Sequence, residues 1–326
     1  MASNVTVFIG TIGQGIWRSD DSGQTWNRSS EGVYMESDVR ALAMHPHNPD
    51  IMYAGTNQGC YRTDDGGTHW NHLPSPMDET PIWSLAVHPE KPDTVFAGTR
   101  PSAIYRTDDG GQTWTALHVH IETDCPPIVH TRVTTIIIDP VDPQTIWVGV
   151  EIDGVHRSTD GGQTWTAQKN GLNSLDIHGL VVFSGPPKTI IASTNQGLCK
   201  STDNGETWQD LHITERFLWG YCRGMAVKAD GSSMLFIGNG NGPPGDHGSI
   251  QWTENLGQTW HQATLSTEPN STIWHFSTHP SNPDLIFAYS VSGQVFRSHD
   301  GGNHWTKLVR EFGEIRAMVW MDKRCV

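Results

Sequence analysis

The sequence predicts an all-β protein, a seven-bladed β-propeller with four antiparallel strands in each blade. First, a motif that ends in Gly-x-x-Trp recurs seven times, and its tryptophans are spaced 43 to 52 residues apart. Second, the segments between copies read as short strands of alternating or continuous apolar residues, without helical periodicity. Third, the chain is rich in glycine (34 residues) and poor in charge (17%), as turn-rich β proteins are. Repeats of this length with four strands each are typical of propeller blades.

The repeated motif itself predicts a hairpin turn. Copies such as "RSDDSGQTW" (18–26) and "RTDDGGQTW" (106–114) keep Ser or Thr, then Gly four residues on, then Trp three beyond. The aspartate, which Asn255 replaces in one copy, can accept hydrogen bonds from backbone N–H groups of its own turn. The glycine supplies a positive φ, and the tryptophan packs on the blade at the start of the next strand. We therefore expect the repeated residues to be scaffold.

The motif resembles the Asp-box (BNR) repeat, Ser/Thr-x-Asp-x-Gly-x-Thr-Trp, of sialidases, sortilin-type propellers and photosystem assembly factors. The match extends over nearly the whole chain, with His69 and His304 in place of the threonine in two copies. In those families the box is a structural turn far from the chemistry. The resemblance therefore implies a propeller with structural boxes, and the sialidases add an arginine triad that holds a carboxylate.

The two ends of the sequence predict how the ring closes. The start, "NVTVFIGT", reads as the second strand of a blade, whereas "EIRAMVWMD" near the end reads as an extra innermost strand. Innermost strands are recognisable because they are apolar at both parities, as strands buried on two faces are. We expect the ends to share one blade, so that residues 1–326 form a single domain without an open seam.

Charge and cysteine content restrict the partners and the compartment. The chain has 21 basic and 35 acidic residues, a net charge of −14, which argues against a general nucleic-acid or anionic-membrane surface. Five cysteines without a CxxC pair and a start without a basic, then apolar, leader predict a cytoplasmic protein with reduced thiols. The oligomeric state is left open.

Function is expected where the copies differ, on the loop face opposite the Asp boxes. Alignment of the repeats places two rings of residues at the top of the innermost strands, around the central channel. The upper ring contains Asp38, Pro81, Arg132, Asp176, Tyr221, Thr272 and Glu314. Two residues further along each strand come Arg40, Trp83, Thr134, His178, Arg223, Trp274 and Arg316. Three guanidinium groups should therefore converge around Trp274, in a geometry that matches carboxylate, sulfate or phosphate.

Roles follow from side-chain chemistry. The candidate catalytic residues are Asp38, Asp176, His178, Tyr221 and Glu314. The candidate ligand-binding residues are Arg40, Trp83, Arg223, Trp274, His275 and Arg316. His275 is included because the other blades have Ala, Ser, Thr or Gly at its position. An alternative interpretation makes Arg40 and Arg316 blade-top ion pairs with Asp38 and Glu314.

No residue is assigned as a metal ligand and no cofactor is required, but a divalent metal on the axis is an alternative. It would use His178 and His275 together with loop residues, namely Glu151, Asp153, Asp246 and His247. A second histidine group, His118, His120, Glu122 and His130, is expected to be solvated surface. His-x-His spacing can hold one ion, which is why both groups are considered.

The leading functional prediction is a cytoplasmic hydrolase, similar to glycosidases, acting on a small anionic substrate such as a sugar acid. Paired carboxylates at the channel mouth would perform acid–base catalysis. One alternative is a non-catalytic propeller that binds an acidic peptide or a glycan as a scaffold. Another is a metal-dependent hydrolase or lyase that uses the axial histidines.

The predicted closure can be tested by truncation. Removing residues 314–326 would delete one innermost strand and expose the edges of the two strands beside it. We expect the shortened chain to aggregate or to melt at a much lower temperature in a thermal unfolding experiment. An unchanged melting curve would refute the closure.

Overall fold

The computed structural model describes residues 5–126 and 129–322, and there the chain is an all-β, seven-bladed propeller with four antiparallel strands per blade. The predicted fold class is therefore confirmed. The single helix of the described chain is a 3-10 turn, Ile213–Glu215. Within these residues no helix is long and apolar enough to cross a membrane.

The strands of the first three repeats are β1 (Thr6–Thr11), β2 (Ile16–Ser19), β3 (Asn27–Arg28), β4 (Val39–Met44), β5 (Met52–Thr56), β6 (Gly59–Thr63), β7 (Asn71–Leu73), β8 (Ile82–Val87), β9 (Val95–Thr99), β10 (Ile104–Thr107) and β11 (Thr115–Ala116). A small hairpin, β12 (Asp124–Cys125) and β13 (Val129–His130), precedes β14 (Val133–Ile138), β15 (Ile146–Val150), β16 (Gly154–Ser158), β17 (Thr166–Gln168), β18 (Ile177–Phe183), β19 (Thr189–Thr194), β20 (Gly197–Ser201) and β21 (Gln209–Asp210). The remaining strands are β22 (Tyr221–Val227), β23 (Leu235–Gly240), β24 (Gly248–Thr253), β25 (His261–Gln262), β26 (Thr264–Leu265), β27 (Ile273–Ser277), β28 (Ile286–Ser290), β29 (Val295–Ser298), β30 (His304–Lys307) and β31 (Ile315–Met321).

Blade 1 combines both ends of the chain, because its sheet has the order β3-β2-β1-β31. Strand β31 is innermost and pairs antiparallel with β1, with Thr6 opposite Met321. Blades 2 to 7 begin at β4, β8, β14, β18, β22 and β27, and these six strands and β31 contact one another in a closed ring. The predicted closure is therefore observed.

The Asp boxes form the turns that the sequence predicts. In the copy that ends at Trp165, Thr164 donates its N–H to Asp160 Oδ1 (2.9 Å) and its hydroxyl to Asp160 Oδ2 (2.6 Å). Ser158 Oγ donates to the same carboxylate (2.8 Å) and accepts the N–H of Gly162 (2.8 Å), whose φ is 93°. These hydrogen bonds, chiefly those from Thr164, lower the pKa of Asp160 to about 2.

The exceptions to the box motif keep the same contacts. His69 and His304 replace the threonine, and each places Nδ1 at 2.6 Å from a carboxylate oxygen of its box aspartate, Asp65 or Asp300. Asn255 accepts the N–H of the box threonine and donates its amide to the hydroxyl. Motif variation in this protein therefore preserves the turn.

The basic residue before each box links neighbouring blades, which the sequence did not reveal. Three of the arginines pair with an aspartate of their own turn: Arg18, Arg62 and Arg106. The wider pattern is a bond to a main-chain carbonyl in the box of the next blade. It occurs as Arg18 to Gly66 (2.9 Å), Arg62 to Gly110 (2.9 Å), Arg106 to Gly161 (2.7 Å), Arg157 to Asn204, Lys200 to Leu256 (3.5 Å) and Arg297 to Ser22 (2.8 Å).

Blade 6 has Trp252 at this position and uses the backbone instead. Its extra strand β26 pairs parallel with β30 of blade 7, and Thr264 lies opposite His304. Every junction between neighbouring blades therefore has a polar connection between outer elements, although the chemistry of one of them differs.

The box prediction can be tested at Asp160. Replacement by alanine removes the carboxylate acceptor and should cost roughly 1–2 kcal/mol of unfolding free energy, measured by urea denaturation. Replacement by asparagine should cost less, because Asn255 shows that an amide can hold the turn.

The pH dependence gives a second readout of Asp160. Its pKa in the folded protein lies below the ordinary aspartate value, so its contribution to stability is present above about pH 4 and is lost as the pH falls towards 2. The stability difference between wild type and Asp160→Asn should shrink over that interval. A constant difference would show that the carboxylate charge is not what the turn uses.

On the box face, three of the turns between first and second strands use a histidine as a hydrogen-bond acceptor. His88 Nδ1 accepts the N–H groups of Glu90 (3.2 Å) and Lys91 (3.0 Å), and His45 and His279 act similarly. Asp139 accepts the same two kinds of bond in blade 4. Only an unprotonated Nδ1 can accept. Burial lowers the pKa of His88, and the nearby charge of Lys91 adds to this.

Acid should therefore weaken this turn. Because the pKa of His88 is lower in the folded than in the unfolded state, its contribution is lost as the pH falls below about 6.5. In His88→Asn an amide oxygen accepts the bonds without titrating. Urea unfolding at pH 7.5 and pH 5.0 should show a smaller loss of stability for the variant than for wild type. Equal losses would contradict the proposed acceptor role of Nδ1.

Candidate functional site

The innermost strands surround a central channel with a volume of about 490 Å³. Within each antiparallel blade, the innermost strand begins at the end opposite the Asp-box turn. The mouth of the channel lies at that end. Below the mouth the wall is mostly apolar and includes Leu42, Leu85, Ile136, Leu180, Met225 and Met318. The polar groups of the channel are therefore concentrated near its mouth.

Two layers of stacked arginine and tryptophan form part of the mouth. Arg40 and Arg132 lie over the ring of Trp83, with guanidinium carbons 4.6 and 4.2 Å from its centroid. Arg223 and Arg316 lie over Trp274 at 4.3 and 4.7 Å. Arg316 is also 5.8 Å from the centroid of Trp83, so it joins the two layers. The predicted convergence of Arg40, Arg223 and Arg316 is observed, and the structure adds a fourth guanidinium.

Most of these arginines already have a carboxylate partner. Asp38 binds Arg40 (2.7 Å), and Glu314 binds Arg316, as the ion-pair interpretation predicted. Glu151 binds Arg132.

Arg223 differs from the other three mouth arginines. It contacts the hydroxyl of Tyr221 (3.4 Å), and within residues 5–126 and 129–322 no carboxylate lies within 4.0 Å of it. The arginines therefore do not form the uncompensated cationic cluster that would favour a small anion.

Two carboxyl groups at the mouth have opposite electrostatic environments. Glu151 is only 5% exposed, and burial raises its pKa, although Arg132 opposes the shift. Burial acts in the same direction on Asp176, but the contact with His178 and the charge of Arg223 outweigh it and lower the pKa. The pKa values of the two carboxyl groups are therefore shifted in opposite directions, a pattern used for acid–base catalysis.

The imidazole of His178 lies between the main chain of the next blade and the carboxylate of Asp176. Its Nδ1 lies 2.7 Å from the carbonyl oxygen of Cys222 and can only donate there, while Nε2 is 3.5 Å from Asp176. Burial lowers the pKa of His178, and Arg223 lowers it further. The ring of Tyr221 packs against the imidazole at 5.0 Å, and burial raises the pKa of its hydroxyl. The structure thus brings Asp176, His178, Tyr221 and Arg223 into one group.

The mouth holds several buried polar atoms without a hydrogen-bond partner among the described residues. The donors are Arg40 Nε, Arg132 Nε and Trp83 Nε1, and the acceptors are Glu151 Oε2 and Asp176 Oδ1. Buried polar atoms in folded proteins are nearly always paired. Such a concentration of both donors and acceptors around one opening indicates a polar ligand.

The metal alternatives find no support in the part of the chain that the structure describes. There, no three or more His, Cys, Asp or Glu side chains are grouped as a metal site. Asp153 instead binds His156 (2.9 Å), Lys169 and the N–H of Glu122, and His247 binds Glu268 (2.6 Å) and stacks on Trp219. His118 and His120 are exposed, and His130 pairs with Asp124 (3.1 Å).

Three residues of the site were not assigned to it from the sequence. Arg132 appeared only as a ring position, and Glu151 only in the metal alternative, because the alignment of innermost strands could not show which loop carboxylate reaches the mouth. Tyr289 also lines the channel. The repeat did contain a signal for Tyr289, since the matching positions in the other blades are glycine or serine.

Comparison with known proteins identifies the family. The model of the Sortilin-Vps10 family (sortilin, neurotensin receptor 3) matches residues 14–126 and 198–324, and that of the BNR/Asp-box repeat matches residues 156–167. The chain belongs to this family of Asp-box propellers. The resemblance expected from the repeated motif is thereby confirmed.

Two relatives of the chain are xyloglucanases. Xyloglucanase Xgh74A of Acetivibrio thermocellus is 28% identical over 235 residues, which cover 57% of this chain and 27% of the relative. A xyloglucanase of Paenibacillus sp is 28% identical over 211 residues, which cover 53% and 20%. The matched region thus spans about a quarter of the length of these relatives.

Similar solved structures support the fold alone, because their sequence identities are low. The GH74 enzyme of Niastella koreensis has a TM-score of 0.65 at 22% identity, covering 82% of this chain and 45% of that one. YCF48 from Cyanidioschyzon merolae has a TM-score of 0.59 at 14% identity, covering 82% and 84%.

Proposed function

We propose that the channel mouth binds a glycan and that Glu151 and Asp176 hydrolyse one of its glycosidic bonds. The observation that carries this proposal is the set of unpaired donors and acceptors at the mouth, which includes Arg132 Nε, Trp83 Nε1, Glu151 Oε2 and Asp176 Oδ1. A sugar hydroxyl both donates and accepts hydrogen bonds. A polyhydroxylated ligand can therefore satisfy all of these atoms at once.

A small anion matches this site less well. It could accept bonds from the unpaired arginine and tryptophan donors, but Asp176 Oδ1 would stay unpaired and would repel it. Arg40 and Arg316 are each compensated by a carboxylate. These contacts favour a glycan over the sugar acid expected from the sequence.

The proposed chemistry uses the opposite pKa shifts of the two carboxyl groups. Glu151, with its raised pKa, donates a proton to the glycosidic oxygen as the bond breaks. Asp176, with its lowered pKa, is the ionised partner carboxylate: it faces the developing positive charge of the sugar and takes a proton from the water molecule that adds to the anomeric carbon. Both carboxyl groups then regain their starting protonation states by exchange with solvent. The charge of Arg223 helps to keep Asp176 ionised, and His178 lies beside it at 3.5 Å. Asp38 and Glu314, the other candidate catalytic carboxylates, serve as partners of Arg40 and Arg316.

The named relatives support a glycan as the substrate class. Both are xyloglucanases, and the region they share with this chain includes more than half of it. Because the match covers only about a quarter of either relative, the activity is transferred as a proposal. A cytoplasmic location likewise stays a prediction.

A non-catalytic scaffold is the second candidate, and the exposed apolar residues favour it. Within the described chain, six of the seven large hydrophobic side chains that are exposed lie on loops leading into innermost strands, at the mouth face: Tyr34, Met35, Val129, Leu175, Leu218 and Val309. Apolar side chains on one face mark surfaces that bind other molecules. A polypeptide partner would use this rim.

Hydrolysis can be tested with the variants Glu151→Gln and Asp176→Asn. Each keeps the size of its side chain but removes the proton donor or the charge, so each should reduce the release of reducing ends from xyloglucan at least about a hundredfold. Binding of xyloglucan oligosaccharides, measured by calorimetry, should be retained within about tenfold, because the amides still form hydrogen bonds.

A matched control is Glu90→Gln on the opposite face, where the carboxylate is exposed and activity should be unchanged. If wild type binds the oligosaccharides but does not hydrolyse xyloglucan, the protein is a non-catalytic scaffold that binds glycans. Absence of both binding and hydrolysis would exclude the glycan and favour the polypeptide partner.

A further inference from the structure

Blade 7 departs from the repeat at one pair of facing positions. On β27 and β28, His275 lies directly opposite Tyr289. The corresponding pairs in other blades combine small residues: Ala317 with Gly10, Ala41 with Gly55, Ser84 with Gly98, Thr135 with Gly149 and Gly179 with Ser193. Only this blade therefore places two large polar side chains at that level.

The small residues elsewhere have a packing reason. A Cβ at Gly55 would lie 2.6 Å from Ile82 of the next blade, and one at Gly149 would lie 2.6 Å from Ile177. Close approach of neighbouring innermost strands therefore excludes side chains at this position. Blade 7 accommodates a phenol ring where the other blades need almost no side chain. The ring packs in the apolar core that includes Phe287 and Trp320, but this packing does not explain the hydroxyl group.

Neither polar group of this pair is satisfied by the protein. The hydroxyl of Tyr289 is completely buried and has no hydrogen-bond partner among the described residues. The imidazole of His275 is exposed to the channel, and its centroid lies 6.4 Å from that of the Tyr289 ring. Both residues line the channel next to Trp274.

The surroundings define the chemistry of a ligand for these groups. Below the mouth the channel wall is mostly apolar, and the channel as a whole, mouth included, has a volume of about 490 Å³, within the range of small-molecule sites. Desolvation lowers the pKa of His275, and because the ordinary pKa of histidine is about 6.5, the side chain is largely neutral at pH 7.5. Arg316 is paired with Glu314 and stacked on Trp274, so its charge is already engaged. Arg223 has no such carboxylate among the described residues, and its guanidinium lies at the mouth, over Trp274.

We propose that the channel below the mouth binds a small uncharged molecule with an apolar body and a hydroxyl group, which His275 and Tyr289 recognise. The apolar body fills the space between Leu85, Leu180 and Met318, and the hydroxyl group exchanges hydrogen bonds with the imidazole and the phenol. This site is separate from glycan hydrolysis and does not depend on it.

Three probes of similar size separate the contributions of the body and the polar group: toluene, benzyl alcohol and benzoate. Dissociation constants would be measured by NMR titration at pH 7.5. Wild type should bind benzyl alcohol at least as tightly as toluene, although a hydroxyl group loses hydration on burial. Benzoate should bind no more tightly than benzyl alcohol, because the two groups that receive it are neutral.

The variant Tyr289→Phe removes only the unpaired hydroxyl. It should lower the affinity for benzyl alcohol relative to toluene about tenfold, the loss of one hydrogen bond. Its melting temperature without ligand should not decrease, because no bond within the protein is lost. His275→Ala, which introduces the residue found at this position as Ala41 and Ala317, should reduce the same ratio.

Tyr53→Phe is the matched control, since Tyr53 is equally buried but its hydroxyl bonds to the carbonyl of Gly110 (3.3 Å). This variant should lower the melting temperature and leave the affinity ratio unchanged. The proposal is overturned if wild type binds neither neutral probe at millimolar concentration, or if the ratio is the same in wild type, Tyr289→Phe and His275→Ala. Tighter binding of benzoate than of benzyl alcohol would overturn the uncharged class. Because no readout involves hydrolysis, these outcomes are independent of the glycan proposal.

Discussion

The bond from a basic side chain to a box carbonyl of the next blade is the contact on which the ring depends. Arg18 makes it to Gly66 at one junction, and Arg297 makes it to Ser22 where the last blade meets the first. A carbonyl can serve as a fixed acceptor only if its turn is rigid, and the box aspartate provides that rigidity through its hydrogen bonds. The seven copies of the motif therefore keep similar residues for two reasons, the turn itself and the contacts between blades.

Because these connections lie on the Asp-box face, the residues of the mouth face can vary. Residues at the channel mouth take no part in the Asp-box connections, so they can satisfy other requirements. The four arginines and two tryptophans there restrict one another by stacking, and three of the arginines are also fixed by carboxylates. A site built in this way loses little side-chain entropy when a ligand arrives.

The repeat made the fold predictable, whereas the site was predictable only in part. Seven aligned copies placed Arg40, Arg223 and Trp274 correctly around the axis, because a residue's height on an innermost strand follows from its position in the repeat. The role of Glu151 was not accessible from the alignment of innermost strands, since Glu151 lies after the second strand of its blade. Its pairing with Arg132 depends on how two loops of that blade approach each other, which the alignment does not encode.

Because β31 pairs with β1, the ring of blades does not depend on where along the ring the polypeptide begins. Thr6 lies opposite Met321, so the two ends of the described chain meet on neighbouring strands of one blade. A short linker could join them, and a break at an exposed turn such as that at Glu90 would interrupt the chain between two other strands. A circularly permuted chain could therefore form the same seven blades, with its ends at a turn outside blade 1.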